Sequence, residues 1–263
     1  MPFLLKPRWL LLHFLAIILA ISFMNFGFWQ VRRLHQRQER NALLEQRLNQ
    51  SPKALQDLLA AYRTDVLPSN EASIAFRPAT VTGEYDSSHE LLLRTADNYN
   101  EQPGYYLLTP LKLSENEAIL VKRGWVPFDL NEPPVADALP PEGQVALDGV
   151  VLLETVRPTG FLSSLTPRDP PGELKITAYT DTGRLGQQMP YQLLPLVLEL
   201  KSQEPSQATP LPLANEEPSF SNGPHLGYAI QWFSFVIIGV IGYSFLLLSL
   251  VRNQSRGSSK RSS

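Results

Sequence analysis

The sequence contains no cysteine and only four histidines among its 263 residues. The lack of cysteine excludes a disulfide framework, a thiolate metal site and a cysteine nucleophile, and so few histidines argue against a structural zinc site. A nucleophile elbow, a phosphate-binding glycine loop and an HExxH motif are missing as well. We therefore expect a protein that is not an enzyme.

The chain also lacks a large excess of charge of either sign, since its formal net charge is -2. Proteins that bind nucleic acid through the phosphate backbone carry clustered basic residues and a strongly positive charge. We therefore expect no nucleic-acid partner.

Charged residues are absent from two long stretches, Trp9–Trp29 and Tyr228–Val251. Each stretch exceeds the roughly 20 residues that cross the hydrocarbon core of a membrane, and tryptophan or tyrosine lies near the ends, where such rings prefer the headgroup region. A cleaved signal peptide is the alternative for the first stretch, but its length and the lack of a clear cleavage site favour an uncleaved anchor. The sequence thus predicts two transmembrane helices.

The second helix decides the predicted orientation, because basic residues on the two sides of the first helix nearly balance. The segment "NEEPSFSNGPH" before the second helix is acidic, and the segment "RNQSRGSSKR" after it is basic. The positive-inside rule then places both termini in the cytoplasm and the middle of the chain in the periplasm. Since no arginine- and serine-rich presequence precedes the first helix, we expect a multi-pass protein of the bacterial plasma (inner) membrane, with lipid as a partner of its basic tail.

The region between the membrane stretches begins as helix. From Gln30 leucines recur at helical spacing, and after "NQSPK" a second short helix is predicted, with Ser51 as its N-cap ahead of Pro52. The predicted segments are a cytoplasmic tail (1–8), transmembrane helix 1 (9–29), a helical extension (30–62), a periplasmic β-rich domain (63–201), a proline-rich linker (202–227), transmembrane helix 2 (228–251) and a basic cytoplasmic tail (252–263).

The β-rich domain is predicted from short apolar runs that glycine, proline, asparagine and aspartate separate. The runs are "ATVTGEYD", "ELLLRTA", "GYYLLTPLKL", "EAILVKRGWVPF", "QVALDGVVLLE" and "PYQLLPLVLEL", with a helical turn at "DTGRLGQQ". Their spacing suits a mainly antiparallel sheet, closed into a barrel or packed as a sandwich. The fold class is therefore two transmembrane α-helices that flank an extramembrane β-domain with short helices, and barrel or sandwich stays open.

Two of the four histidines are predicted near one membrane interface. His35 follows Trp29 on the continued helix, and His225 comes just before the second charge-free stretch. If the two helices pack together, the imidazoles could approach each other and bind a haem iron, or each could simply form hydrogen bonds at the interface. His13 lies near the inner end of the first helix, where an interfacial or a helix-packing role is expected, and His89 is expected on the surface.

Two arginines, Arg32 and Arg33, follow the first charge-free stretch after Gln30 and Val31 in "GFWQVRRL". Arginines at this position extend to lipid phosphates, or they bind an anionic, propionate-bearing partner through paired hydrogen bonds. Gly27 is expected to permit close approach of the second helix. The residues themselves leave both roles of the arginines open.

Five segments, in chain order, resemble blocks of one known family. They are "GFWQVRRL", "RPATVTGEYD", "PGYYLLTPLKL", "ILVKRGWVP" and "HLGYAIQWFSF", and they resemble the Surfeit locus protein 1 (Shy1-like) family of cytochrome c oxidase assembly factors. The match spans nearly the whole chain, although Lys122 stands where the family commonly has asparagine.

The resemblance implies an assembly factor for haem-copper cytochrome c oxidase that assists delivery of haem a. It implies the oxidase catalytic subunit, and also a haem a synthase, as partners, with haem a bound transiently. The histidine that opens the last block, here His225, is the haem iron ligand that the resemblance implies, and Arg32, Arg33 and His35 are further cofactor-binding candidates.

The same blocks supply candidate partner contacts, which are Trp29, Gln30, Arg123, Gly124, Trp125, Tyr228, Gln231 and Trp232. For Trp125, burial in the core at the end of an edge strand is the alternative. An alternative function is a two-helix structural or regulatory membrane protein whose outer β-domain binds a protein or lipid without a cofactor. An enzyme with a periplasmic substrate fits the sequence least.

Overall fold

A computed structural model describes most of the chain in two compact units. The described residues are 2–64, 74–94, 99, 102–218 and 220–259. One unit, the helix-pair unit, consists of Met1–Leu43 with Ser219–Ser263, and the other, the β-domain, consists of Leu44–Pro218. The predicted strand "ELLLRTA" and the predicted basic tail (252–263) each extend beyond the described residues.

The α-helices are α1 (Pro7–Leu48), α2 (Leu55–Thr64), α3 (Thr182–Leu185) and α4 (His225–Ser259). Single 3-10 turns occur at Pro2–Leu5, Ser87–His89, Ala136–Ala138, Phe161–Leu165 and Gly186–Gln188. Helices α1 and α4 are long and apolar enough to cross a membrane, and their most apolar windows are almost entirely unburied by protein. Lipid is the environment that covers such surfaces, which confirms the two predicted transmembrane helices.

The strands are β1 (Lys53–Ala54), β2 (Pro78–Tyr85), β3 (Leu91–Arg94), β4 (Gly104–Lys112), β5 (Glu117–Pro127), β6 (Gln144–Leu153), β7 (Ile176–Thr177) and β8 (Gln192–Glu204). Their order in the sheet is β1-β2-β6-β8-β5-β4-β3-β7, and β2 pairs with β4 as well. That last pairing closes β2, β6, β8, β5 and β4 into a ring. The domain is therefore a barrel, the first of the two forms that the sequence left open.

The barrel closes because two consecutive strands share one edge of β4. At the end of β2, Glu84 and Tyr85 pair with Lys112 and Leu111, while β3 pairs with the other half of the same edge. Pairing is antiparallel except for β1 with β2, β3 with β7 and β5 with β8. The predicted mainly antiparallel sheet is confirmed.

The core extends to both faces of the central strands. Successive side chains of a strand point to opposite faces. In β5, Ile119 and Val121 contribute to the cluster that includes Leu55 of α2, and Leu120 between them joins a second cluster with Leu185 of α3. The short helices therefore cover apolar faces of the sheet, which explains why β4 and β5 are buried along almost their whole length.

The start of α2 differs from the prediction. Ser51 was predicted as its N-cap, but the helix begins at Leu55. Lys53 and Ala54 instead pair with Ala79 and Thr80 as the parallel strand β1. The prediction was wrong because the edge of β2 gives these two residues hydrogen-bond partners that the local sequence does not reveal.

The predicted linker is partly built into the β-domain. Strand β8 continues to Glu204 because its last residues pair with the beginning of β6. The following segment, residues 205–218 (the strap), lies along the sheet: Leu213 and Trp125 exchange two backbone hydrogen bonds of 2.8 Å. The buried Asn215 amide donates to the carbonyls of Lys122 and Leu200 at 2.9 and 3.0 Å.

Candidate functional site

Helices α1 and α4 approach each other closely at Gly27. A Cβ atom added at Gly27 would lie 2.5–2.9 Å from ring atoms of Phe233, which is closer than carbon atoms can pack. Ala229, one turn before Phe233, is almost fully buried as well. The structure therefore confirms that Gly27 permits close packing of the two helices.

Aromatic rings on both sides of Gly27 fix the packing of α1 against α4. Trp232 packs against Phe23 and Phe26 with ring centroids 5.4 and 5.0 Å apart. Phe28 meets Phe233 edge to face at 5.4 Å, an arrangement that the ring quadrupoles favour. Trp232, predicted as a partner contact, thus makes its observed contacts within the helix pair.

One turn after Gly27, a glutamine and a histidine from the two helices meet. Gln30 is only 8% exposed, and its side-chain oxygen Oε1 lies 2.8 Å from Nδ1 of His225, the first residue of α4. A carbonyl oxygen only accepts hydrogen bonds, so Nδ1 carries the proton and donates. When an imidazole with this donor is neutral, its lone pair lies on Nε2.

The Nε2 edge of His225 faces a glycine. A Cβ added at Gly223 would lie 3.5 Å from Cδ2 and 3.6 Å from Nε2 of His225, and Gly223 has φ +68, a conformation that favours glycine. Apart from that ring and the neighbours of Gly223 in the chain, no atom of the described residues lies within 4 Å of that point. The Nε2 edge of the imidazole therefore lies beside a residue without a side chain.

The segment before His225 is held by α1 too. Asn41 Nδ2 donates to the carbonyl of Phe220 at 2.8 Å, with the Ser221 carbonyl and Asn222 Oδ1 at 3.4 and 3.3 Å. Asn41 follows Gln30 by about three helical turns, so both project from the same face of α1. This face of α1 therefore holds His225 through Gln30 and the segment before His225 through Asn41.

The other cofactor candidates on α1 lie at different angles around the helix. At about 100° per residue, Arg32 and His35 project from faces far from Gln30, and both are exposed. Arg33 lies nearer to Gln30, with its guanidinium carbon 6.0 Å from the centre of the Trp29 ring. The structure therefore brings His225 and Gln30 together and leaves His35 and Arg32 apart from them.

Sequence reasoning passed over Arg37. It follows Gln30 by two helical turns, or about 10 Å along the axis, and projects from the face that carries Gln30. Its side chain is exposed. The spacing of seven residues from Gln30 is the sequence signal that places Arg37 on this face.

Three predicted partner contacts lie on the outer surface of the helix pair. Trp29 and Tyr228 are 46% and 49% exposed, and Gln231 is also exposed. Their side chains are available to lipid or to another protein, and their role as partner contacts stays a prediction.

His13 lies at the opposite end of the helix pair. Its Nδ1 forms a hydrogen bond with the hydroxyl of Tyr243 on α4, and the two rings meet edge to face with centroids 5.8 Å apart. Trp9 packs on its other side at 6.4 Å. These contacts correspond to helix packing, one of the two roles expected of His13.

Two of the predicted partner contacts in the β-domain are buried side chains. Arg123 and Trp125 are 2% and 3% exposed. Arg123 Nη1 donates to Glu90 Oε2 at 3.2 Å, and both side chains of this ion pair are fully enclosed. Burial fits the core interpretation of Trp125, and partner contact through either side chain would require the domain to open.

Further donors complete the surroundings of Glu90. Thr109 Oγ1 donates to Oε2 at 2.7 Å, and the backbone N–H of Val135 donates to Oε1 at 2.9 Å. Burial raises the pKa of the Glu90 carboxyl, while these donors and the charge of Arg123 oppose the rise. On its other side, Arg123 Nη2 donates to Gln207 of the strap at 2.7 Å, so the ion pair also fastens the strap.

His89 lies near the surface of the β-domain, as expected, but has a defined role there. Its Nδ1 lies 2.8 Å from Asp86 Oδ2, which also accepts from the Tyr191 hydroxyl at 2.8 Å. These contacts stabilise the turn between β2 and β3. The position of this turn allows β2 and β3 to pair with the same edge of β4.

Replacing Gly27 with alanine is expected to destabilise the helix pair by about 1–3 kcal/mol, because the new methyl group overlaps the ring of Phe233. The measurement is the thermal midpoint of the near-ultraviolet circular dichroism of the purified protein in detergent. Gly239→Ala is the matched control: a Cβ there meets no described atom within 4 Å, and alanine favours the helix. Adding Phe233→Ala should recover part of the loss; equal midpoints for the two glycine variants would contradict the packing argument.

Comparison with known proteins agrees with these observations. The family model of the SURF1 family matches residues 17–237, a range that contains both Gln30 and His225. The chain is 25% identical to an uncharacterized SURF1-like protein of Mycobacterium bovis, over 97% of this chain and 89% of that protein. It is 26% identical to a SURF1-like protein of Monosiga brevicollis, over 87% and 85% of the two chains, and 21% identical to one of Caenorhabditis elegans, over 89% and 73%. The chain belongs to the SURF1 family.

Proposed function

We propose that this protein is a non-enzymatic assembly factor for haem-copper cytochrome c oxidase, and that it carries haem a transiently towards the catalytic subunit. The observation that carries the proposal is the fixed imidazole of His225, with Nδ1 bound to Gln30 and the Nε2 edge beside Gly223. Membership of the SURF1 family also supports the proposal.

His225 is the residue that would hold the iron. Haem would supply an iron atom that an imidazole nitrogen can bind, and Nε2 is the nitrogen left with a lone pair. His225 stands directly before the apolar run of α4, where Leu226 and Tyr228 are exposed. An apolar macrocycle could lie against such side chains while its polar edge stays at the membrane surface.

Arginines on α1 would hold the haem carboxylates. Guanidinium groups bind carboxylates through paired, charge-assisted hydrogen bonds. Of the two arginines in the "QVRR" motif, Arg33 is nearer to the Gln30 face than Arg32, and Arg37 projects from that face two turns further on. We assign the carboxylate contact to Arg33 and Arg37.

The proposed location is the bacterial plasma (inner) membrane, with both termini in the cytoplasm and the β-domain in the periplasm. The basic residues that follow the charge-free stretch of α4 and the acidic residues before α4 support this orientation. The His225 site would then lie at the periplasmic surface, where the oxidase catalytic subunit and a haem a synthase are the proposed partners and lipid surrounds the helices.

The direct test is a titration of the purified protein in detergent with haem a, followed by the Soret absorbance. His225→Ala should weaken binding at least tenfold because it removes the iron ligand. His35→Ala is the matched control, since His35 is exposed on another face of α1, and it should bind like the wild type. Absence of binding by the wild type, or equal binding by His225→Ala, would rule out haem carriage through His225.

The test in cells is a reduced-minus-oxidised spectrum of membranes from a strain that lacks this protein. The a-type haem signal should fall, and the wild type but not His225→Ala should restore it. An unchanged signal with normal oxidase activity would favour the alternative function, a membrane-anchored structural or regulatory protein without a cofactor.

A further inference from the structure

We propose that Gln30 is a positioning residue that holds His225 in one tautomer, with the proton on Nδ1 and the lone pair of Nε2 directed to a metal. The tautomer part of this inference concerns the protein without any ligand. The part that concerns metal affinity and reduction potential rests on the proposed function.

The geometry of Gln30 supports a fixed acceptor. Its Oε1 lies 2.8 Å from His225 Nδ1, and the side chain is buried where α1 and α4 pack. One turn earlier, Gly27 lets the ring of Phe233 lie directly against α1, which holds the two helices in register. The amide oxygen therefore stays in place as a hydrogen-bond acceptor for the imidazole.

The tautomer of His225 depends on its hydrogen bond with Gln30. Among the described residues, Gln30 is the one whose side chain is hydrogen-bonded to the imidazole. A neutral imidazole carries one proton, and the hydrogen bond made by one nitrogen decides which nitrogen remains free as a ligand. Without the amide oxygen, the proton would no longer be drawn to Nδ1.

The same contact would tune a bound metal. A histidine ligand usually donates its second N–H to an oxygen, which orients the ring and raises the basicity of the ligating nitrogen. A carboxylate at position 30 would increase that basicity, and an apolar side chain would remove the effect. We therefore expect the reduction potential of bound haem to rise in the order Gln30→Glu, wild type, Gln30→Met, because a more basic ligand favours the ferric state.

The first measurement needs no haem. Histidine labelled with 15N is introduced into the full-length protein in lipid nanodiscs, and the His225 signals are assigned by their loss in His225→Gln. The wild type should show the tautomer with the proton on Nδ1, and Gln30→Met should shift the population to the other tautomer. Gln36→Met, an exposed glutamine on the same helix, should leave the His225 signals unchanged. A wild-type signal with the proton on Nε2 would overturn the inference.

The second measurement uses the haem a complex and reads affinity and midpoint potential. Gln30→Met should lose about 10- to 100-fold in affinity, the usual cost of removing such an oxygen, and Gln30→Glu should keep the affinity and lower the potential. If Gln30 only filled space, Gln30→Met and Gln30→Glu would not shift the reduction potential of the haem in opposite directions. Equal potentials in all three proteins would overturn the tuning of the metal.

The two proposals fail in different ways. If the wild type binds no haem but shows the Gln30-dependent tautomer, haem carriage fails and the positioning of His225 stands. If haem binds through His225 but the tautomer and the potential do not respond to Gln30, the positioning fails and haem carriage stands. Gln30→Glu retains an acceptor oxygen, so the comparison remains possible even where Gln30→Met folds poorly.

Discussion

Replacing Arg123 with methionine is expected to destabilise the β-domain by about 3–5 kcal/mol, because it leaves the buried carboxylate of Glu90 without its cation. The 3.2 Å contact between Arg123 Nη1 and Glu90 Oε2 is sealed from solvent. Methionine fills a similar volume, so the loss reports the uncompensated charge more than a cavity. The free energy of unfolding, measured by urea denaturation of the full-length protein in detergent, gives the size of the effect.

The loss should depend on pH in a defined direction. Burial already raises the pKa of Glu90, and the charge of Arg123 opposes that rise, so the pKa should rise further in Arg123→Met. Below the pKa of unfolded Glu90 the carboxyl is neutral in both states and the charge penalty is absent. The stability of the variant should then fall as pH rises from the unfolded towards the folded pKa of Glu90.

Two further variants separate the buried charge from other effects. Glu90→Gln combined with Arg123→Met removes both charges. The amide oxygen can accept from the Val135 N–H and the amide N–H can donate to the Thr109 hydroxyl, so the double variant should recover much of the loss. Lys201→Met removes a partly exposed cation that lies 3.1 Å from Glu199, and it should cost less than about 1 kcal/mol. If Arg123→Met costs no more than Lys201→Met, the buried ion pair does not stabilise the domain as argued.

The membrane helices and most strands could be predicted because their signals are local. The charge-free run Trp9–Trp29 has the length of a membrane span, and the apolar run from Glu117 has the composition of a strand. The start of α2 at Leu55 was missed because β1 depends on the distant edge of β2.

The contacts of His225 with Gln30 and of Glu90 with Arg123 could not be predicted because they join residues that are far apart in the chain. His225 and Gln30 meet only when α1 and α4 pack, and no local pattern gives the rotation of one helix against the other. In the sequence, nothing distinguishes Glu90 from an ordinary polar residue before a strand. It becomes a buried anion only after the barrel closes and Arg123 turns towards it.

Arg123 turns inward because of an irregularity in β5. Leu107 of β4 pairs with Gly124, but the next residue, Leu108, pairs with Lys122, which leaves Arg123 without a partner in the ladder. Such a bulge inserts one residue and redirects the side chains near it. Gly124 provides the backbone conformation that follows the bulge, with φ +153.

Replacing Gly124 with alanine is accordingly expected to cost about 2–6 kcal/mol. A Cβ at Gly124 would lie 2.2 Å from the carbonyl oxygen of Leu213, a backbone atom that cannot move aside as a side chain can. The cost combines strain at φ +153, about 1–3 kcal/mol, with loss of the two hydrogen bonds between Trp125 and Leu213, about 0.5–1.5 kcal/mol each. Urea denaturation measures the total.

Gly143→Ala separates the clash from the backbone strain, since Gly143 also has positive φ but a Cβ there meets no described atom within 4 Å. It should cost only the strain. Limited proteolysis adds a local readout: Gly124→Ala should expose the strap to cleavage, whereas Gly143→Ala should not. Equal stability and equal cleavage of the two variants would contradict the close approach. If Gly124→Ala alone releases the strap, the Arg-Gly-Trp run fastens the strap to the sheet, and partner contacts should be sought on the exposed helix residues Trp29, Tyr228 and Gln231 instead.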